Sequence, residues 1–162
     1  MLSASVKPEA SMQDLASEPA FAIYALCAVV LCLNMLGLWG MSGAVRGKTK
    51  TTPNAEDAST VAKGAKLVDD EPPEVARVLR AQRNADVNIM PFLVLGLLYC
   101  INGASARAAW ILFGGFTVAR LGHSIAYLGG KQPWRTIFFV VAGIITLAIM
   151  VQVVRGSLAR MM

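Results

Sequence analysis

The stretch ARAAWILFGGFTVARLGHSIAYL, residues 106–128, is apolar over most of its length but carries polar side chains near its end. Its length is close to the roughly 20 residues that an α-helix needs to span the hydrocarbon core of a bilayer. The polar residues Arg120, His123 and Tyr127 are spaced i, i+3 and i+7, which places them on one face of a helix. The stretch therefore predicts a membrane-spanning helix with one polar face.

Further apolar segments lie on both sides of this stretch. The chain has 162 residues, of which 56% are hydrophobic and 15% charged, and this is too apolar for an ordinary soluble domain. The predicted spans are residues 21–44, 74–102, 106–128 and 134–154. They indicate an all-α fold, an integral membrane four-helix bundle formed by a single domain over residues 1–162. The second helix is expected to begin in water near Glu74, because its purely apolar part follows Pro91.

Basic residues are unevenly distributed between the segments that connect the spans. The first loop, about residues 46–73, and the third loop hold seven of them: Arg46, Lys48, Lys50, Lys63, Lys66, Lys131 and Arg135. The opposite side holds four: Lys7, Arg107, Arg155 and Arg160. By the positive-inside rule, we expect the first and third loops to be cytoplasmic and both termini to be outside or lumenal. Residues 1–20 lack a basic n-region, so we expect the first span to be retained.

Several function classes are disfavoured by the composition. The net charge of +5 comes from basic groups at helix ends that are not interleaved with exposed aromatics, so no nucleic-acid site is indicated. The three cysteines, Cys27, Cys32 and Cys100, lie inside predicted spans, with no Cys-x-x-Cys pair and no second histidine. We expect them to be packing residues, and neither a metal site nor a disulfide framework is predicted.

The first loop is the one long polar stretch. It contains KTKTTPNAEDAST, residues 48–60, and DDEPPE, residues 69–74, with turn formers and mixed charge. It is either a flexible linker or an ordered loop over the cytoplasmic mouth of the bundle. The composition by itself favours the linker.

A second polar stripe lies in PEVARVLRAQRNADVNIMPF, residues 73–92. Its members are spaced i, i+3, i+7 and i+11, with one further arginine beside them: Arg77, Arg80, Asn84, Asn88 and Arg83. In the expected topology, three helix ends lie on the cytoplasmic side. They are the start of the second helix, the end of the third, and the start of the fourth, which carries Arg135 and Thr136. We therefore expect the three polar groups to meet at one membrane depth.

The balance of charge at that depth indicates an anionic ligand. A charged side chain at the bilayer centre costs roughly 2.5 to 3.5 kcal/mol, so such residues usually face a polar chamber. Asp86 is the one acid within the apolar parts of the last three spans, so the guanidinium groups are not neutralised by the chain itself. Arginine recognises carboxylates through paired hydrogen bonds. A small molecule that carries carboxylates would therefore suit this polar chamber as a ligand.

Other interpretations of the same residues stay open. The arginines of the second helix could form a face that binds lipid phosphate. Arg135 and Lys131 could be simple topology determinants, and His123 could be a structural histidine. A proton or ion pathway built on Arg120, His123 and Asp86 is a further alternative.

Two runs carry a resemblance to a known family. LRAQRNADVNIMPFLVLGLLY, residues 79–99, and ARLGHSIAYLGGKQPWRT, residues 119–136, closely resemble the MAPEG family of membrane-associated proteins in eicosanoid and glutathione metabolism. The resemblance extends over about residues 24–160. It implies a subunit of four helices that assembles as a homotrimer and binds glutathione between neighbouring subunits, near the cytoplasmic face.

The family's functional residues can be carried over position by position. Its glutathione contacts fall on Arg46, Arg80, Arg83, Asn84, His123 and Tyr127. Arg120 matches an arginine of the same polar core. Arg135 and Thr136 match the pair implicated in thiol activation and are also expected to contact glutathione. The segment PNAEDA resembles the family's loop, which implies an ordered loop and makes Asp57 the expected partner of Arg135.

The resemblance implies a glutathione-dependent transferase, isomerase or peroxidase that acts on a lipophilic electrophile from the bilayer. The alternative is a non-catalytic, lipid-binding member of the family, of the lipoxygenase-activating type. Three positions depart from the expected pattern. Val87 stands where the family normally has glutamate, while Phe139 and Gln82 replace a tyrosine and a histidine of one branch. These departures bear on the substrate and on how the tripeptide is held.

Overall fold

A computed structural model describes residues 12–162 of the chain. Four of its helices are long and apolar enough to cross a membrane: Pro19–Thr49, Pro73–Ile101, Ala106–Leu128 and Trp134–Met161. They are called the first to fourth spanning helices below. A short helix, Met12–Ser17, precedes the first. The predicted all-α bundle of four apolar helices is confirmed. Lys7, which was counted in the charge balance, lies outside the described residues.

The first and fourth spanning helices continue beyond their apolar segments, which were expected to end at residues 44 and 154. Backbone hydrogen bonding does not stop where the side chains become polar, so Arg46 and Lys48 lie in the last turn of the first helix. That helix ends at Thr49 and is capped by Lys50, which has a left-handed backbone (φ 51°) and donates its N–H to the carbonyl of Arg46. Hydropathy therefore marks the lipid-facing length, and the helix itself extends further.

Aromatic rings fill the core between the first three spanning helices. Phe92 and Phe116 are stacked, with their ring centroids 3.9 Å apart. Tyr24 donates from its hydroxyl to the carbonyl of Leu93 at 2.8 Å, and its ring packs on Gly96. A Cβ atom at Gly96 would lie 2.9 Å from that ring, so glycine permits the close approach of the first and second helices.

The third spanning helix contains a π-helical turn, Trp110–Gly114. A π turn inserts one extra residue into an α-helix and so re-aims the side chains around it. Within it, Phe113 is fully buried and meets Phe92 and Tyr99 edge-on, at centroid distances of 5.7 and 6.1 Å. The turn thus directs Phe113 into the aromatic core, while the regular helix that follows carries the polar residues.

The first loop is folded. Two short strands, Thr51–Thr52 and Lys66–Leu67, pair in parallel, and the helix Ala55–Ser59 lies between them in the chain. An ion pair between Arg46 and Glu71 fastens the end of the loop to the first spanning helix. The flexible linker favoured by composition is wrong, and the ordered loop implied by the resemblance is confirmed. Composition failed here because backbone pairing, which a polar sequence does not reveal, provides the order.

Candidate functional site

A small cavity lies where the end of the third spanning helix meets the second helix and the start of the fourth. Its volume is about 220 Å³, and it is lined by Asn84, His123, Tyr127, Arg135, Thr136 and Phe139. The lining residues come from all three of the polar groups identified in the sequence. The sequence predicts that these three polar groups meet. The prediction follows from the i, i+3, i+7 spacing on the third helix and from the position at which the fourth helix begins.

Arg135 is held in the cavity from two sides. Its guanidinium carbon lies 4.9 Å from the centroid of the Tyr127 ring, in cation–π geometry. On the other side, the side-chain oxygen of Gln132 accepts hydrogen bonds from Arg135 Nε at 3.2 Å and Nη2 at 2.7 Å. The amide is oriented here as its hydrogen-bonding neighbours require. The guanidinium is thereby fixed against the cavity wall.

The same amide fixes Thr136. The side-chain nitrogen of Gln132 donates to Thr136 Oγ1 at 3.1 Å. A hydroxyl group has one donor hydrogen and two acceptor lone pairs. Because Gln132 occupies an acceptor site of Thr136, the hydroxyl hydrogen is available to donate to a group in the cavity.

Gln132 is a candidate functional residue that the sequence reasoning missed. It lies in the turn before the fourth helix, outside every polar stripe that helical spacing can detect. The one signal in the sequence that could have pointed to it is its spacing of i, i+3 and i+4 to Arg135 and Thr136.

Arg120 lies behind the cavity and does not line it. Its side chain is fully buried, and its Nη2 donates to the carbonyl and to Oδ1 of Asn84 at 3.1 and 2.8 Å. No carboxylate among residues 12–162 lies within ion-pairing distance of it. Its Nε and Nη1 have no hydrogen-bond partner in the same range. Arg120 therefore acts on the cavity through Asn84.

His123 forms the inner wall of the cavity and is only 2% exposed. Its ring centroid lies 5.6 Å from that of Tyr127 and 6.1 Å from that of Phe139. In the described part of the chain, Asp86 neither lines the cavity nor hydrogen-bonds to Arg120 or His123. The pathway of Arg120, His123 and Asp86 considered above is thus not connected within one subunit.

The arginines of the second helix do not converge on the cavity within one subunit. Arg80 and Arg83 are exposed and Asn88 is half-buried, donating to the carbonyl of Asn84 at 2.8 Å. Arg77 instead covers the turn after the third helix. A Cβ atom built on Gly130 in that turn would lie 2.8 Å from Arg77 Nη1. The arginines of the stripe therefore lie on the exposed side of the helix, whereas Asn84 reaches the cavity.

Arg46 and Asp57 lie at a second, larger cavity of about 640 Å³ between the end of the first spanning helix and the first loop. Arg46 is paired with Glu71, and Asp57 accepts a hydrogen bond from Asn54 at 2.9 Å. Within a subunit, over residues 12–162, no hydrogen bond or ion pair joins Asp57 to Arg135, so the partnership implied by the resemblance stays a prediction. The loop folds back on the first helix, away from the start of the fourth.

The small cavity is electropositive and rich in hydrogen-bond donors. Arg135 provides a cationic fork, Asn84 an amide and Thr136 a free hydroxyl hydrogen, and none of the described lining residues is a carboxylate. No group of three His, Cys, Asp or Glu side chains in residues 12–162 is placed to hold a metal ion. The cavity can accordingly bind and stabilise an anion.

Comparison with known proteins extends this picture. The MAPEG family is matched over residues 24–155. Prostaglandin E synthase of Homo sapiens is 36% identical over 127 residues, which are 78% of this chain and 82% of that protein. Microsomal glutathione S-transferase 1 of Rattus norvegicus is 33% identical over 154 residues, 92% of this chain and 98% of that protein.

These matches confirm the likeness to microsomal prostaglandin E synthase that the sequence motifs indicate within the family. The matched region contains every residue that lines the small cavity. Together with the four apolar helices, it makes the chain an integral membrane protein. From its motifs, its helices and a match that covers most of its length, this chain belongs to the MAPEG family.

Proposed function

We propose that this chain is a glutathione-dependent membrane enzyme, a transferase, isomerase or peroxidase that acts on a lipophilic electrophile. The names of its relatives, prostaglandin E synthase and microsomal glutathione S-transferase 1, support this class. The observation that carries the proposal is the small cavity, where Arg135 and Thr136 face His123 and Tyr127 with no carboxylate among the described lining residues.

The residues present fit a tripeptide with two carboxylates and a thiol. The small cavity holds about 220 Å³, whereas ligand sites usually measure about 300 to 1,000 Å³. One subunit therefore supplies only part of the proposed site. Arg80 and Arg83 are exposed and free to face a neighbouring subunit, and Arg46 lies at the larger cavity.

These placements support a homotrimer with glutathione between subunits. In this arrangement Arg46, Arg80 and Arg83 bind the carboxylates, and Asp57 reaches Arg135 across a subunit boundary. The first and third loops are cytoplasmic in the proposed topology, so the tripeptide enters from the cytoplasm. The lipophilic electrophile enters from the bilayer, between helices.

When bound, glutathione supplies a thiol that becomes a nucleophile on deprotonation. A cysteine-like thiol has a pKa near 8.5, so only a few per cent is thiolate at neutral pH. Lowering that pKa by about two units requires roughly 2.7 kcal/mol of preferential stabilisation of the thiolate.

Arg135 and Thr136 are placed to provide this stabilisation. Both lie in the first turn of the fourth spanning helix, which begins at Trp134, so exposed backbone amides add to the charge and to the hydroxyl donor. Gln132 holds the two side chains, and Tyr127 covers the guanidinium. Arg120 keeps Asn84 in the wall through two hydrogen bonds.

A non-catalytic, lipid-binding role is the second candidate. Phe139 favours it, because this apolar ring lines the cavity where a tyrosine hydroxyl stands in one branch of the family. Val87 points the same way, since an exposed apolar side chain stands where the family normally has glutamate. Under this role the chain binds a lipid and does not lower the pKa of a bound thiol.

Titration with glutathione in a calorimeter tests the proposal on detergent-purified protein. We expect saturable binding, together with a thiolate absorbance band in the ultraviolet near neutral pH. S-methylglutathione, which has no ionisable thiol, serves as the control and should bind without the band. Native mass spectrometry of the same sample should show trimers. An absence of glutathione binding would refute the enzyme, while binding without thiolate would favour the lipid-binding role.

A further inference from the structure

The third and fourth spanning helices approach one another closely at Gly122 and Phe138. A Cβ atom built on Gly122 would lie 2.6, 2.7 and 2.8 Å from Cζ, Cε1 and Cε2 of the Phe138 ring. Non-bonded carbon atoms in proteins are best separated by about 3.5 to 4.0 Å. The ring thus occupies the space that any side chain larger than hydrogen would need at position 122.

This contact lies beside the small cavity in both helices. Gly122 directly precedes His123, and Phe138 directly precedes Phe139; both of these following residues line the cavity. Arg135 and Thr136 lie within one turn of Phe138 on the same helix. A helix is rigid over one turn because of its backbone hydrogen bonds. The distance between the two walls of the cavity therefore depends on how closely Gly122 and Phe138 pack.

We propose that Gly122 and Phe138 are positioning residues for thiol activation, which they serve by setting the distance from Arg135 and Thr136 to His123 and Tyr127. The inference rests on the proposed function. Neither residue touches the bound tripeptide in this assignment. Their role is to hold the cationic wall at the distance at which it stabilises a thiolate bound against the other wall.

Close packing is not shared by every glycine of the spanning helices. A Cβ atom would lie 2.9 Å from the Tyr24 ring at Gly96 and 3.3 Å from Ile145 at Gly115, but other glycines have open space around them. Gly143, also in the fourth spanning helix, has no atom within 4 Å of a Cβ built on it, and the same is true of Gly37 in the first. Alanine at either position requires no movement. Gly143→Ala therefore makes the same chemical change as Gly122→Ala, in a neighbouring part of the bundle, without touching the contact.

The test compares four variants with the wild type: Gly122→Ala, Phe138→Leu, the double variant, and Gly143→Ala. The readouts are the pH dependence of the thiolate absorbance of bound glutathione, its calorimetric affinity, and kcat and KM with a general lipophilic electrophile. Alanine has a higher helix propensity than glycine, so an impaired Gly122→Ala variant cannot be explained by a weakened helix.

We expect Gly122→Ala to shift the thiolate band to higher pH and to lower kcat by about 10- to 100-fold, since a misplacement of about 1 Å can cost about 100-fold. The affinity for glutathione should change less than kcat. Phe138→Leu removes the ring atoms that meet the new methyl group, so the double variant should recover most of the thiolate band. Gly143→Ala should match the wild type.

Two failures can be told apart. If the wild type binds no glutathione, the proposed function fails, and this inference fails with it. If the wild type binds glutathione and shows the thiolate band, and Gly122→Ala shows the same band at the same pH, the inference alone is refuted. A double variant that is no better than Gly122→Ala, with an intact melting temperature, would also refute it.

Discussion

Arg120 donates two hydrogen bonds to Asn84, one to its carbonyl at 3.1 Å and one to its side-chain oxygen at 2.8 Å. The guanidinium is fully buried, whereas Asn84 lines the small cavity. A residue of the cavity wall is therefore held in place by a buried cation of the next helix. The packing of the bundle and the position of a cavity-lining side chain are therefore coupled at this pair.

Asn84→Ala should lower the stability of the bundle. It removes the side-chain acceptor of a buried, charged donor, and leaving such a group unsatisfied costs about 1 to 3 kcal/mol or more. The measurement is thermal unfolding in detergent without glutathione. Asn88→Ala is the control for the loss of an asparagine amide, because Asn88 donates to the carbonyl of Asn84 and supplies no acceptor to Arg120. An equal loss in both variants would argue against a special role for the pair.

Arg135→Ala should reduce turnover much more than it weakens glutathione binding. The positive charge favours the thiolate, so its removal raises the pKa of the bound thiol, and activity should be regained as the pH is raised. Thr136→Val should have a smaller effect in the same direction, because one donor is lost while the charge remains. Thiolate absorbance followed against pH gives the measurement. An unchanged thiol pKa in Arg135→Ala would transfer the role to Arg120 or Tyr127.

A change of charge at position 132 should raise the pKa of the bound thiol more than a change of side-chain size does. Gln132→Glu places a carboxylate against the Arg135 guanidinium, which offsets the positive charge and accepts the Thr136 hydroxyl hydrogen. We therefore expect a larger rise in the thiol pKa for Gln132→Glu than for Gln132→Ala, with modest changes in glutathione affinity. If the two substitutions have the same effect, Gln132 does not orient the pair.

Glu71→Gln should loosen the first loop. Glu71 pairs with Arg46 at a partly buried position, where a salt bridge contributes up to about 1 kcal/mol. Faster tryptic cleavage at Lys63 or Lys66, both exposed on the loop, is the expected result. Glu74→Gln, at an exposed position of the second helix, is the control and should be cut at the wild-type rate. High salt should reduce the difference, since it screens partly exposed charges.

Arg83→Ala should weaken glutathione binding even though Arg83 is exposed in the isolated subunit. If the neighbouring subunit buries it against a carboxylate of the tripeptide, the loss should be about 2 to 5 kcal/mol. Arg107→Ala, at the opposite end of the bundle, should bind like the wild type. The measurement is the affinity of each variant for glutathione, determined by calorimetry on trimeric protein. Wild-type affinity in both Arg83→Ala and Arg80→Ala would mean that the family's contacts are not kept at these positions.

The four long helices and the meeting of their polar groups could be predicted because both depend on side-chain periodicity. Residues 106–128 are helical as expected, and their polar face lies where the spacing placed it. The far ends of the first and fourth helices could not be predicted in the same way. Hydropathy depends on the side chains, whereas a helix ends where its regular backbone conformation stops, as the first helix does at the cap residue Lys50.

The candidate site was predicted residue by residue only where helices contribute to it. Asn84, His123, Tyr127, Arg135 and Thr136 share the small cavity. Asp57 does not reach it within a subunit, and Gln132 was overlooked, because loop paths follow from backbone pairing and turns. Arg80 and Arg83 lie at the edge of their stripe, where a few degrees of rotation decide whether a side chain faces the protein or the outside.

The order of Asn84 and Arg120 along the chain bears on how the protein enters the membrane. The second span is synthesised before the third, so both acceptor atoms of Asn84 exist when Arg120 reaches the bilayer. An arginine inserted without a partner is costly, by up to roughly 2.5 to 3.5 kcal/mol at the membrane centre. The third span is therefore expected to partition into lipid together with the second, as a pair, so a truncated chain that lacks the second span should leave the third outside the bilayer more often.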